Sequence, residues 1–432
     1  MQSSNRYASR FLLVSLSIDG ILQESTISRR REKLIKITNG LELGDVYGAT
    51  IERIKSQDGD KSRLGVMALM WISHAERPLR VDEVCHALAV QLGSKDFDVG
   101  NIPSMSTLVN CCQGLITVDK GASTVRLIHF TLQEYLSSHP DIFSKPHSAM
   151  AEICLTYLNS KQVKALSTAH SPETRNTPFL EYCSVYWGVH AKRELSDYGR
   201  SLALELLKED YSPISTKLLL AHANLHPTRT CPFSGLHCAS FFGIVEVVAA
   251  LIDVGGSDIN LEGYWDYTPL SWAAYNGHEE VVKVLLGQGE VNPDKVTEGG
   301  QTPLFLAALN GHEGVVKILL GRDEVDPDKR DNWGETPLSY ASGNGHEGVV
   351  KILLGREEAD PGNPNDWGET PLSCAAQSGH EGVVKILLGR EEVDPDQPND
   401  LGQTPLHLAS RHGHERIVAL LQSCKAATPN AI

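Results

Sequence analysis

Through its second half the chain alternates two kinds of apolar cluster at a fixed interval. A short cluster, Pro303 to Ala308 in one instance, follows a threonine; a longer one, Val315-Val316 with Ile318-Leu319-Leu320, follows a Gly-His pair. Copies begin at Thr268, Thr302, Thr336, Thr370 and Thr404, 34 residues apart each time, and a worn copy begins at Ser234. A fixed period of this length marks stacked repeats. Within each copy the threonine is placed to cap a helix, and the proline after it fits the first turn, where its missing N–H is not needed. Gly311 ends that helix at a position suited to left-handed backbone. Glu313 opens a second helix that Gly321 stops, and the Pro-, Asp- and Asn-rich stretch from Arg322 to Glu335 predicts a projecting turn. Burying one aliphatic side chain is worth ~1.5–3 kcal/mol. A lone helix pair cannot cover both of its faces, so the copies must stack.

Upstream the pattern changes. Residues 10 to 54 carry helical periodicity, as in Phe11-Leu12-Leu13-Val14-Ser15-Leu16. From Leu64 three helices are predicted, LGVMALMWISHA, Val81–Leu88 and Ser104–Cys112. Two β-rich runs follow, 115–119 and 124–129, separated by Lys120-Gly121-Ala122-Ser123 as in a hairpin. A helix starts at Phe130. Three helices and a hairpin give a winged-helix order. Further helices occupy 147–160, 177–192 and 200–210; in the middle one positions 183, 186, 187 and 190 share a face, which predicts packing rather than a cofactor box. The expected architecture is mostly α: an α-solenoid of six repeats preceded by a winged-helix domain and a helical linker block. The boundaries are a helical tail at 1–62, the winged helix at 63–140, the linker block at 141–228 covering the front of the stack, repeats at 229–424, and a tail at 425–432.

Charge narrows the partners. Lys and Arg total 39 against 54 Asp and Glu, a formal charge of −15, whereas nucleic-acid binding needs a basic footprint. The third helix of the winged-helix region has no Lys or Arg, and the wing offers only Lys120 and Arg126. Direct nucleic-acid binding is therefore not expected. Arg29-Arg30-Arg31 with Lys33 and Lys36 reads as a solvated helix face in preference to a nuclear-import signal. No apolar run is long enough for a membrane span. Nine cysteines without CxxC spacing and no secretory leader fit free thiols in an intracellular, cytoplasmic or nuclear protein.

The pattern G-x-TPL-x-x-A-x-x-G-H-x-x-VV-x-x-LL over about residues 229 to 424 resembles that of the ankyrin family. The family's His after Thr-Pro-Leu is replaced by Ser271, Phe305, Ser339 and Ser373, and survives at His407 and His237; the Thr–His hydrogen bond that the resemblance implies is in question in the four replaced copies. RPLRVDEVCHALAV (77–90), the run 101–115 and VRLIHFTLQEYL (125–136) resemble the winged-helix region that follows the NACHT module in fungal STAND proteins, a region catalogued by its similarity to part of inositol deacylases. FLLVSLSIDGILQESTISRRREKL resembles the tail of the NACHT region itself. The phosphate-binding Gly-x-x-x-x-Gly-Lys-Ser/Thr string of that module does not occur; Gly59-Asp60-Lys61-Ser62 lacks the Gly-Lys pair. No nucleotide hydrolysis is expected, and tight Mg-dependent ATP binding would overturn that.

Candidate chemistry is sparse. The in-phase His278, His312, His346, His380 and His414 lie a repeat width apart, too far to share an ion, and match a structural Gly-His turn. His222, His226, Cys231, His237 and Cys238 invite a zinc reading, but the last two already hold positions in the first repeat helix. Pro327 and Pro395 interrupt the acidic turns where a calcium loop needs continuity. Cys85 and His86 are neighbours on a helix and point apart. No catalytic residue, cofactor or metal is expected. Binding of another protein is. The second helices are near copies, so specificity must lie where copies differ. Three residues before each threonine stand Trp265, Gly299, Trp333, Trp367 and Leu401; after each first helix, toward the inner groove by resemblance, stand Tyr275, Leu309, Gly343, Gln377 and Arg411. Exposed tryptophans at turn tips are typical interface anchors; the alternative is that Trp333 and Trp367 stack on each other and stiffen the turns.

Overall fold

The computed structural model describes residues 25–32, 43–166, 177–208, 213–224, 232–255 and 258–427. The apolar run from Phe11, Lys33 and Lys36, and the zinc candidates His226 and Cys231 lie outside the described residues. The chain divides into two compact units between Leu202 and Ala203.

In the first unit, helices α1 (Leu43–Lys55), α2 (Asp60–His74), α3 (Val81–Ala89) and α4 (Met105–Cys111) lead into strands β1 (Ile116–Asp119) and β2 (Thr124–Leu127) and helix α5 (Phe130–Ser138). This is the winged-helix order expected. The strands pair antiparallel with Ile116 opposite Leu127, and Arg80 bridges Thr124 to add a short third edge. The wing turn is held by Asp119, whose Oδ1 accepts the N–H groups of Gly121 and Ala122 at 2.9 and 3.2 Å. Helices α6 (Pro146–Asn159) and α7 (Leu180–Arg193) pack against each other, and α6 also packs on α2. Trp71 of α2 is fully buried and meets Phe179 and Tyr182 edge-on. The aromatic face of α7 is thus core: Tyr182, Cys183, Trp187 and His190 are buried. At the start of α3, Glu83 is buried and bonded by both arms of Arg77 at 2.6 and 2.9 Å and by the Arg80 N–H at 2.7 Å. Every described cysteine is a free thiol.

In the second unit α8 ends (Asp197–Leu207, begun in the first unit) and α9 (Pro213–His222) follows. Six helical pairs come next: α10–α11 (Gly235–Phe242, Val245–Val254), α12–α13 (Pro269–Tyr275, Glu279–Leu286), α14–α15 (Pro303–Leu309, Glu313–Leu320), α16–α17 (Pro337–Gly343, Glu347–Leu353), α18–α19 (Pro371–Ser378, Glu381–Leu388) and α20–α21 (Pro405–Arg411, Glu415–Ala427). First helices pack on first helices of neighbouring pairs, and second on second. Gly235 is needed where it stands, because a Cβ there would lie 2.0 Å from the Leu207 carbonyl oxygen. The helix caps are as the sequence predicts: each threonine Oγ1 accepts the N–H three residues on, at 3.2–3.3 Å.

The missing family histidines have a local replacement. In three of the four replaced copies a serine hydroxyl bonds the capping threonine: Ser271 to Thr268 and Ser339 to Thr336 at 3.0 Å, Ser373 to Thr370 at 3.2 Å. Phe305 instead fills its position with a buried ring lying 4.8 Å from that of Tyr340. The worn first copy keeps the longer reach, since His237 bonds Ser234 at 2.8 Å and the carbonyls of Leu261 and Tyr267 at 2.9 and 3.1 Å. His407 is exposed.

Between repeats the turns form a second ladder. Asn260 accepts the Asn292 N–H, Asp294 the Asp326 N–H and Asp328 the Asp360 N–H, at 2.8–3.0 Å. Burial, with Asp360 and Asp326 nearby, raises the Asp328 carboxyl above its ordinary 3.8. A group whose folded value is raised stabilises below the unfolded value, and that contribution is lost as pH rises through the folded one. Asp328→Asn keeps an acceptor for Asp360 without the charge, as Asn260 does two repeats earlier. Its melting temperature is therefore expected to exceed that of the native chain at about pH 7 and to converge with it toward about pH 3; thermal scans by circular dichroism across that range check this.

Candidate partner-binding face of the repeats

The projecting turns stack through their backbones. The Trp265 carbonyl accepts the Glu298 N–H, Gly299 that of Asn332, Trp333 that of Asp366 and Trp367 that of Asp400, at 2.9–3.2 Å. Within each turn a short side chain folds the loop back. Asp331 Oδ1 accepts the N–H groups of Trp333 and Glu335, and Asn365 Oδ1 those of Trp367 and Glu369, at 2.9–3.0 Å. Asn399 does the same for Leu401 and Gln403 at 3.1 and 2.8 Å. The following Gly334, Gly368 and Gly402 take φ of 71–74°. The loop chemistry thus fixes the backbone under Trp333, Trp367 and Leu401 and leaves their side chains outside, at 46%, 53% and 81% exposure. Among the described residues no ring stacks on Trp333 or Trp367.

Trp265 belongs to a different environment. Its turn has Asp266 where the later ones have glycine, and both Trp265 and Asp266 adopt φ near 57–58°, a region bulky residues rarely enter. Trp265 is half-buried against Tyr264 and Tyr267, with ring centroids 6.1 and 6.4 Å away. Those rings continue through Trp272, Tyr275 and Phe241 into one aromatic cluster. Burial pushes the Tyr267 hydroxyl far above its ordinary value, so it stays neutral.

The second set of positions ends the first helices. Tyr275, Leu309, Gly343 and Gln377 are half-exposed and Arg411 is exposed. The series runs from aromatic through aliphatic to polar and charged. At Tyr275, Leu309 and Gln377, and at Phe241 in the first copy, the next repeat's histidine anchors the backbone. His278 Nε2–H donates to the Phe241 carbonyl, His312 to Tyr275, His346 to Leu309 and His414 to Gln377, at 2.9–3.0 Å. These carbonyls lie at helix C-termini, where no intrahelical donor remains. His278, His312, His346 and His414 are therefore latches between consecutive repeats. The imidazoles also lie against the positive-φ glycines of the preceding repeat: a Cβ on Gly277, Gly311, Gly345 or Gly379 would come within 2.5–2.7 Å of the ring.

Two matches to known families fit this geometry. Ankyrin repeats match in three copies over residues 207–295, 289–365 and 350–432, more than half of the chain. The chain belongs to the ankyrin-repeat family. Ankyrin repeats are protein-interaction modules, so a protein partner is the class of ligand this ankyrin-repeat chain takes. A winged-helix domain described as that of GPI inositol-deacylase matches residues 54–148, in the order noted from the sequence. No curated protein matches the ankyrin-repeat chain. No described helix is long and apolar enough to cross a membrane.

The sequence supplied no sign of one further cluster. Glu76, His147 and His190 in the first unit come from segments 71 and 43 residues apart in the chain, and among the described residues they alone bring three ligand-type atoms within 4.8 Å of one another.

Proposed function

We propose that this chain is a non-catalytic adaptor or regulator that holds a partner protein on the projecting turns and groove face of its repeats. The observation that carries the reading is the exposure of Trp333, Trp367 and Leu401 on a backbone that hydrogen bonds hold rigid. Large side chains on ordered loops give up little conformational freedom when covered, which is how interface anchors gain affinity. Trp265 and Tyr275 extend the face at its aromatic end, and Leu309, Gln377 and Arg411 vary its chemistry along the stack. The winged-helix domain serves as a packing or relay module. Its third helix presents Ser106, Thr107 and Asn110 to solvent and no cation, and Arg126 is paired with Asp119 at 3.2 Å. That leaves the wing with Lys120, too little for a phosphate footprint.

A second reading is favoured by the winged-helix match followed by ankyrin repeats: the sensor half, or a degenerate paralogue, of a STAND-type ATPase. It uses the same binding face, and signalling or transcriptional co-regulation is compatible with either.

The test is affinity capture with the full chain. Trp333→Ala/Trp367→Ala is expected to lose at least about 30-fold in affinity for a captured partner, in line with ~2 kcal/mol or more for anchor residues, with an unchanged melting temperature. Intact capture with lowered melting would instead make the tryptophans structural and remove the proposed face.

A further inference from the structure

Three elements of the first unit converge on one polar point. His147 lies in the first turn of α6, His190 in the last turn of α7, and Glu76 in the loop after α2. The Nδ1 atoms of the two histidines face each other at 2.9 Å, and Glu76 Oε1 lies 4.0 Å from His190 Nδ1. A tetrahedral zinc ion with bonds near 2.0–2.1 Å spaces its ligand atoms by about 3.3 Å. The cluster brackets that spacing, so small rotations of two imidazoles suffice to admit an ion. We propose that Glu76, His147 and His190 form a site for a divalent transition metal, zinc by the chemistry of its donors, with solvent as fourth ligand.

The surroundings favour ligation. His190 Nε2 lies 2.8 Å from the Tyr182 hydroxyl. When that nitrogen carries the proton and donates to the tyrosine oxygen, the Nδ1 lone pair is left to face the site; outer-shell partners of this kind orient histidine ligands in metal centres. Tyr182 also accepts the Glu76 N–H at 3.3 Å, tying the carboxylate's backbone to the same oxygen. Arg193 grips the Glu76 carboxylate and holds it in place. Its positive charge opposes a cation, and two carboxylates, Glu76 and Glu194, offset it; Glu194 reaches the first turn of α6 through the Ser148 N–H at 3.4 Å. His190 is fully buried while Glu76 and His147 are half-exposed. The cluster is therefore anchored on the inside and open to solvent on one side, as a site with a water ligand requires. Nitrogen and oxygen donors without thiolate suit zinc better than a soft monovalent ion or calcium.

The rival arrangement is a plain hydrogen bond between two neutral imidazoles beside a Glu–Arg pair. The two are separated by titrating zinc chloride into the full chain after chelator treatment and dialysis, followed by calorimetry and thermal melting. One equivalent is expected to bind and to raise the melting temperature of the winged-helix unit. Cobalt(II) is expected to give the visible absorption of a four-coordinate site. His147→Ala and Glu76→Gln, both half-exposed positions, are checked for native circular dichroism and are each expected to lower zinc affinity by at least tenfold. Because His190 is buried, His190→Ala is a secondary variant whose loss of folding would not bear on the other two. Absence of stoichiometric binding would overturn the proposal. So would binding unchanged by both His147→Ala and Glu76→Gln, which would put the ion elsewhere in the chain.

Discussion

Replacing Arg77 by alanine is expected to destabilise the winged-helix unit by about 3–5 kcal/mol, the range for stranding one partner of a buried pair. Glu83 is 1% exposed and takes two bonds from the Arg77 guanidinium and one from the Arg80 N–H. Without Arg77 the carboxylate keeps a single neutral donor in a dry environment, and Tyr182 loses the guanidinium that lies 5.4 Å over its ring. The loss is largest if the charge is what matters. Adding Glu83→Gln to Arg77→Ala removes that charge and leaves an acceptor for the Arg80 N–H, so the double variant is expected to recover part of the lost stability. Urea denaturation followed by circular dichroism and tryptophan fluorescence reads both. Equal stability of single and double variants would show that Arg77 acts through packing alone.

Gly311→Ala is expected to cost the repeats about 1.5–3.5 kcal/mol. Left-handed backbone penalises an alanine by ~1–2 kcal/mol, and loss of one hydrogen bond adds ~0.5–1.5 kcal/mol. Gly311 has φ of 76°, and a Cβ there would stand 2.7 Å from the Nδ1 of His346. The imidazole must move, and with it goes the 3.0 Å bond from His346 Nε2–H to the Leu309 carbonyl. A break in mid-stack also weakens coupling between the halves, because each repeat is stabilised mainly by its neighbours. The expected signature is a broadened or split unfolding transition. Gly321→Ala in the same repeat is the control: Gly321 has φ of −74°, and its Cβ would meet nothing closer than a carbonyl at 3.3 Å. That change is expected to stay below about 1 kcal/mol in either direction. Similar losses for both glycines would contradict the latch.

The two predictions mark different degrees of legibility. The positive-φ glycines, the capping threonines and the aliphatic second helices are local devices that recur every 34 residues, and repetition makes a local rule visible. The winged-helix order was equally open, because helices and a four-residue hairpin turn are short-range features. The role of the in-phase histidines was legible as structural, but not their target: the donor and the carbonyl it satisfies lie 37 residues apart. Nor could the sequence separate Trp265 from Trp333 and Trp367, which share one register. Asp266 in place of glycine and the neighbouring Tyr264 and Tyr267 turn the first toward an aromatic cluster, whereas the other two stand over a glycine-closed turn and face solvent.

By itself, then, the sequence determined that this chain is a stack of helical pairs behind a winged-helix module, since periodicity, caps and turn residues act within a few positions of one another. Only the tertiary structure decided which serine hydroxyls replace the absent histidines and which tryptophans are uncovered. It alone brought Arg77 to Glu83 in a buried pair and Glu76 to His147 and His190. Such groupings depend on how helices pack in space, and burial then decides whether a charge is costly or a lone pair is available. No spacing along the chain carries that information.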